Sequence, residues 1–404
     1  MTELARSTAA PAEDSAGRWI SRLVSRAANL PCAFRVHTTS GTTVVGDGEP
    51  QFDIHIHNDR GLNALKSLEE LRIADAYVNG DIDIEGDVVK AMWLRDALDD
   101  RNLGLKIWRR LQPLLVGREK LNPAWIAKHY DSKNIQLYAT DDVYHAYTPG
   151  IYLTDEETLE VSSERKYQFA FDSLQLKAGM HLLEIGCGWG GMTKFCASRG
   201  VKVTAITLSR DQLAYTQNII KEKNFTNAEA HYQDFFTFDP GHRFDAISCM
   251  GVIEDLSDYP KVMKRYAELL KPGARAYLDF ASGKVPFGTS SFITKHVWPG
   301  TFRMVYMPQL MEAIDNSRIQ LVALYNDRHN YHLWARNGHQ RWVESKDEII
   351  AKSSVETYRL FRLLFMGTAG VMNNPTQKVS AYRMVLELPS EDEPFHARGV
   401  DGAK

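Results

Sequence analysis

Residues 180–191 read Met180-His-Leu-Leu-Glu184-Ile-Gly186-Cys-Gly188-Trp-Gly190-Gly191. MHLLEIG is an apolar strand that runs into a glycine-rich turn, and MTKFCASRG after it is a helix closed by Gly200. VKVTAITLS is the second strand and DQLAYTQNIIKEKN the second helix. AEAHYQDF, FDAISCMGV and ARAYLDFAS give three further strands with helices between them. Strand and helix alternating at this spacing predict a parallel sheet covered on both faces, an α/β fold.

Glycines in such a turn let the backbone bend tightly and bring a ligand close to a helix N-terminus. Two ligand classes fit. A dinucleotide site takes GxGxxG, which Gly186, Gly188 and Gly191 satisfy. An S-adenosylmethionine site takes an acid at the strand end followed by GxGxG, which Glu184, Gly186, Gly188 and Gly190 satisfy. A dinucleotide fold places an acid for the ribose about 20 residues on. Here the second strand ends Ala205-Ile206-Thr207-Leu208-Ser209, without one. Asp234 stands instead beside the third strand, where an adenine pocket falls, and the order ending in LKPGARAYL is that of a methyltransferase. The methyl donor is the expected ligand.

The chain has 404 residues and a formal net charge of −3. The near balance argues against general nucleic-acid binding, and no Asn/Asp-Pro-Pro-Tyr type motif follows the fourth strand. Cysteines at 32, 187, 196 and 249 show no CxxC spacing, so neither a disulfide framework nor a cysteine metal site is expected. No apolar run reaches the roughly 18 residues that span a bilayer, and the first residues lack a secretory pattern. The expected organisation is a tail over 1–17, a small α+β domain over 18–120, the catalytic domain over 121–390 and a tail over 391–404. Within the first domain, Leu62–Tyr77 reads as one helix, and LRIADAYVNGDIDIEGD reads as a strand-turn pair that could also host a site.

LLEIGCGWGG, ITLSRDQ, Ile253-Glu254 and LKPG, taken in order, resemble the cyclopropane fatty acid synthase family, which includes the mycolic acid methyltransferases. HYDSKN at 129–134, FITKHVWPG at 292–300 and FRLLFMGTAG at 361–370 extend the likeness, which runs from about residue 50 to 388. The resemblance implies a Rossmann-like, mainly parallel seven-stranded sheet with a smaller N-terminal domain. It implies methyl transfer from S-adenosylmethionine to the double bond of an unsaturated acyl chain, usually within a phospholipid. A carbocation forms and is resolved by losing a proton, giving a cyclopropane, methylene or methyl-branched product.

By matching motifs, Gly186, Gly188 and Gly190 lie beneath the methionine part of the donor, with Glu184 as polar anchor. Thr207, Leu208, Ser209 and Gln212 match ribose-side contacts, and Gln233, Asp234 and Phe235 the adenine side. Tyr147 and Thr148 match a Tyr-Ser pair that closes over the donor. Typical members bind a bicarbonate ion as base through a Cys, a Glu, a His and a Tyr. This chain has Pro149 or Gly150 at the Cys, Asp255 at the His of the FEH motif, Asp279 at the His of the LLHT motif, and Leu363 or Leu364 at the Tyr; Glu254 remains. Added carboxylates repel an anion, so bicarbonate is not expected, and Glu254 or Asp279 is the expected base.

Simpler roles stand beside these. Glu254 reads either as a cap of the next helix or as a site carboxylate, and Asp279 as a pairing carboxylate or a site group. His129 and Tyr130 read as turn residues, His145 as an exposed loop residue that could also line the site, and Trp334 and Trp342 as core. The aromatics Phe287, Phe292, Trp298, Phe302 and Tyr306 read either as ordinary core or as an acyl-pocket lining. Alternative substrates are an isoprenoid or another apolar alkene, and the alternative to an enzyme is a lipid-binding relative. The expected setting is the cytoplasm, peripherally on the inner face of the membrane, with an acyl lipid or bilayer surface as partner, no nucleic acid, and a homodimer.

Overall fold

The computed structural model describes residues 32–100, 107, 134–256, 258–286, 290–298, 302–376 and 378–390. The expected tails, His129, Tyr130 and Phe287 lie outside these. The chain divides into two compact units, Met1–Arg101 and Asn102–Lys404, so the division falls ahead of the boundary expected near residue 120.

In the first unit, β1 (Phe34–Thr38), β2 (Gly41–Val45), β3 (Phe52–Ile56) and β4 (Ile82–Gly86) form a sheet of order β2-β1-β3-β4. Phe34 and Phe52 stack with ring centroids 4.9 Å apart at the centre of its core. The single helix expected over Leu62–Tyr77 is two, α1 (Asp59–Ser67) and α2 (Glu70–Val78), because Leu68 turns left-handed with φ 52°. Asn58 Oδ1 accepts from the Arg60 and Gly61 amides and caps α1, while its Nδ2 donates to buried Asp81 at 2.8 Å. The stretch LRIADAYVNGDIDIEGD, expected as a strand-turn pair, is instead most of helix α2, a turn at Asn79–Gly80 and strand β4, with Asp81 engaged by the α1 cap. The short helix α3 (Val88–Trp93) follows β4.

Among the described residues of the second unit, a 3-10 turn (Ile135–Ala139) precedes α4 (Leu159–Ser173), which Thr158 caps by accepting from the Val161 amide. β5 (His181–Ile185), α5 (Gly191–Ala197), β6 (Lys202–Thr207), α6 (Arg210–Glu222), β7 (Ala228–Tyr232), β8 (Phe244–Met250), α7 (Tyr259–Leu269) and β9 (Leu270–Gly283) follow the alternation seen in sequence. After α8 (Met307–Asp315) and β10 (Gln320–Asn326), the helices α9 (Arg328–Glu344), α10 (Lys346–Lys352) and α11 (Val355–Asn373) lead to β11 (Val379–Glu387).

The seven strands order as β10-β11-β9-β8-β5-β6-β7. β5 to β9 are mutually parallel and β11 runs antiparallel to β9. Leu182, Leu183 and Ile185 of β5 are buried, as a strand covered on both faces requires. The chain leaves β5 toward β7 on one side and returns to β8 on the other. That reversal is the topological switch point, beyond whose strand ends α/β sheets bind ligands.

Candidate active site

A cavity opens at that switch point. The glycine turn forms its floor. Gly186, Gly188 and Gly190 all have positive φ, of 75°, 50° and 76°. A side chain at Gly186 would drive its Cβ to 2.3 Å from Val252 Cγ2, whereas at Gly188 nothing lies within 4 Å. Gly188 thus faces open cavity and Gly186 is tight packing. Gly190 starts α5 and packs against Thr216, and Gly191 takes the place on the cavity wall.

Glu184 lines the floor, buried, and accepts from Thr193 Oγ1. Burial raises its pKa to about 8. At the end of β6, Thr207, Leu208 and Gln212 line the wall, with Thr207 Oγ1 donating to Gln212 Oε1 at 3.1 Å. The Ser209 side chain instead accepts from the Gln212 amide and caps α6. Gln233, Asp234 and Phe235 line the end of β7, where Asp234 Oδ1 accepts from the Phe236 amide at 2.7 Å.

Tyr147 and Thr148 form the opposite wall. Thr148 sits so close to Gly251 that a Cβ there would lie 2.5 Å from Thr148 Cγ2. Behind Thr148 stands Lys166 of α4, 1% exposed, whose Nζ donates to Thr148 Oγ1 at 2.6 Å. Asp279 lies on the far side of the same pair. Its Oδ2 is 3.5 Å from Thr148 Oγ1 and 4.0 Å from Lys166 Nζ. Of the two expected bases, Asp279 is thus a partner of a buried ammonium, and its residue is not among those lining the cavity. Burial raises its pKa to about 6 against the lowering effect of Lys166.

Glu254 does line the cavity. It is no helix cap, because Asp258 caps α7. Its Oε1 accepts from the Ala281 amide at 2.8 Å, while Oε2 is buried without a partner among the described residues. Burial, the largest cause, lifts its pKa to about 8. Neighbouring Asp255 also lines the cavity and is raised by burial to about 7. From Glu254 the wall turns apolar. Trp298 and Phe302 stack 4.4 Å apart on it, joined by Met304 and by Leu364, Phe365 and Met372 of α11. Of the other expected aromatics, Phe292 is packed inside and Tyr306 precedes α8.

Several wall residues were not read from sequence as site residues. Trp334, expected as core, is 4% exposed yet lines the cavity, with Nε1 donating to the Ala146 carbonyl at 3.3 Å. Tyr331, one turn before it on α9, lines the same wall, and its ring meets Trp334 edge-on at 5.4 Å. Only their spacing of three on one helix hinted at a shared face. His145, expected on an exposed loop, is half-buried on the wall beside Thr140, and burial lowers its pKa. Trp342 is core as expected.

The family model for mycolic acid cyclopropane synthetase matches residues 118–381. The chain belongs to that family. A domain of unknown function matches residues 20–96. Within the synthetase family's wider circle, a probable fatty acid methyltransferase of Mycobacterium tuberculosis is 24% identical over 80% of this chain and 84% of its own length. A sphingolipid C9-methyltransferase of Candida albicans is 21% identical over 81% of this chain and 69% of its own. The cyclopropane-fatty-acyl-phospholipid synthase of Escherichia coli is 27% identical over 61% and 64%. Among solved structures, a mycolic acid cyclopropane synthase complexed with SAH and CTAB shares the fold at TM-score 0.60, with 20% identity over 65% of this chain and 97% of that one. The protein is an S-adenosylmethionine-dependent methyltransferase of this synthetase family.

Proposed function

We propose that the chain methylates the double bond of an unsaturated acyl chain carried by a membrane lipid, with Glu254 as the base that removes the proton. The observation that supports this most is Glu254 Oε2, buried, unpartnered among the described residues, and set where the polar donor half of the cavity meets the apolar half. The donor supplies a methyl group already activated on a sulfonium. In this reading, the open space at Gly188 receives its methionine part, Thr207 and Gln212 face its ribose, and Gln233, Asp234 and Phe235 its adenine. Tyr147 and Thr148 close over it, and Glu184 anchors the turn through Thr193.

Trp298, Phe302, Leu364 and Phe365 hold the chain and exclude water from the cation that forms on it. Glu254 then takes the proton. A carboxylate lifted by desolvation to about 8 is a stronger base than an exposed one, and its affinity sits near the working pH. The ion used by typical relatives does not fit these residues. A Cβ at Gly150 would lie 2.2 Å from Ser162 Oγ, which leaves no room for a cysteine side chain at that position, and Asp255 adds a carboxyl beside Glu254 on the cavity wall.

We further infer access to lipid from one side. Among the described residues no helix is long and apolar enough to cross a membrane. The carrier, phospholipid or sphingolipid, is separated by the test. Purified protein with isotopically labelled donor is given vesicles of each lipid, and acyl products are read by mass spectrometry. Label in a fatty acyl chain supports the reading; label only in an isoprenoid, or none with donor bound, refutes it.

A further inference from the structure

A second pocket shares a wall with the cavity, because His145 lines both. The shared wall stands at the donor end. The His145 ring meets Tyr215 edge-on at 5.8 Å, and Tyr215 meets Trp189 of the glycine turn at 5.4 Å. The second pocket holds about 690 Å³, the size of a small-molecule site. Charges of both signs line it. Asp142 pairs with Arg341 at 3.2 Å, Lys352 Nζ stands 4.8 Å from the centre of the Tyr138 ring, and Glu344 shares the wall. Asn134, also on that wall, keeps a buried Oδ1 with no partner among the described residues. The acceptor half of the main cavity is the opposite in character, with Trp298, Phe302, Leu364 and Phe365 on its wall. S-adenosylmethionine carries an ammonium, a carboxylate and a sulfonium, and charge crosses apolar surface at a high cost. An acyl chain held along that wall would also block the way.

We propose that the donor enters, and S-adenosylhomocysteine leaves, through this second pocket past the ring of His145, so that donor exchange proceeds with the acyl chain in place. This rests on the reading that sets the donor's methionine part at Gly188. The backbone at His145 is fixed. The Asp141 carboxylate accepts from the amides of Val143, Tyr144, His145 and Ala146 at 2.5–3.3 Å, and His145 holds a left-handed φ of 52°. Its ring is held more lightly. Nδ1 lies 3.3 Å from Thr140 Oγ1, whose own proton goes to the Leu137 carbonyl at 2.9 Å. Rotation of that one side chain opens the wall while the turn stays in place. The zwitterionic end of the donor then passes charges of both signs, Asp142 and Glu344 for its ammonium, Arg341 and Lys352 for its carboxylate.

The test reads donor association and release in the full chain by stopped-flow tryptophan fluorescence, since Trp189 and Trp334 line the cavity. Rate constants are compared, not amplitudes. Leu137 lines the second pocket and not the cavity, so Leu137→Trp fills the route from outside; His145→Trp fills the opening itself. Each should slow association and release together by at least about tenfold, with Kd within about threefold of the parent's, because an obstructed route changes rates and not the bound state. In the parent, saturated phospholipid vesicles, at a concentration that inhibits methylation of unsaturated ones, should leave both donor rates unchanged. Donor exchange that stops with saturated lipid bound overturns the proposal. Faster release with a weaker Kd in the filled variants, the mark of a lost contact, overturns it too. Gly188→Asp separates the route from the placement. Weakened donor binding there, beside parent-like rates in both filled variants, overturns the route alone. Parent-like binding by Gly188→Asp overturns the placement and the route with it.

Discussion

Lys166 Nζ and Asp279 Oδ2 stand 4.0 Å apart, both buried, with the Thr148 hydroxyl between them. Burial alone would lower the Lys166 pKa, and the Asp279 charge opposes that. Asp279 in turn is raised to about 6 by burial and lowered by Lys166. Asp279, one of the two expected bases, thus faces a buried lysine. Its charge balances the Lys166 ammonium that donates to Thr148 on the cavity wall.

Removing one partner of such a pair strands the other charge and costs about 3–5 kcal/mol, whereas replacing both with apolar groups is often near neutral. Asp279→Asn should lower thermal stability and raise KM for the donor more than it lowers kcat. The double variant Lys166→Met, Asp279→Leu should recover most of the stability without recovering donor affinity. Thermal melts and donor titrations of the three proteins check this.

Gly188 faces open space at φ 50°. Gly188→Asp fills that space with a carboxylate on a backbone that L residues adopt with strain. Donor affinity should fall at least about a hundredfold, while the near-ultraviolet circular dichroism stays close to the parent's. Parent-like affinity in isothermal titration would place the donor elsewhere.

Glu184 and Glu254 both hold their protons to about 8 in the folded chain, against an ordinary value of 4.5. Between those values the folded state binds more protons than the unfolded one, so stability should fall as pH rises from about 4.5 to about 8. Denaturant unfolding of the donor-free protein at pH 6 and pH 8 reads the slope, and Glu254→Gln should make it shallower. For catalysis the sign is opposite. A base must be deprotonated, so kcat/KM should climb with pH through about 8 and then level.

Leu153 and Val285 expose 69% and 60% of their surface, and Lys284 adjoins Val285. The exposed Val285 beside Lys284 suits a peripheral contact with anionic lipid. Sedimentation with anionic vesicles should weaken as salt rises, and Val285→Asp should weaken it further. Equal sedimentation at low and high salt would count against the contact.

The sheet was legible because parallel strands buried on both faces write continuous apolar runs, and the glycine turn because positive φ restricts the residue. Helix ends were less so. Leu68 carries a left-handed φ that no glycine announced, and it split one expected helix in two. Many of the cavity-lining residues were legible through their motifs, but Lys166 behind Thr148 was not. A lysine within an amphipathic helix reads as a solvated face, and its burial depends on Thr148 and on Asp279 of β9, distant in sequence. Tyr331 and Trp334 were hidden for a related reason, since a residue on a cavity wall is patterned like a residue in a core. Asp255 and Asp279 were both visible as substitutions. Only the coordinates separate them, one on the cavity wall and one paired behind it.

In the proposed reaction a side chain of this protein, Glu254, removes the proton. Single-turnover methyl transfer in carbonate-depleted buffer tests it most directly, with the parent beside Glu254→Gln. The parent should turn over at the same rate with or without added bicarbonate, and Glu254→Gln should be slower by at least about a hundredfold with donor binding nearly intact. A parent that stops on carbonate depletion and recovers on its return would contradict it.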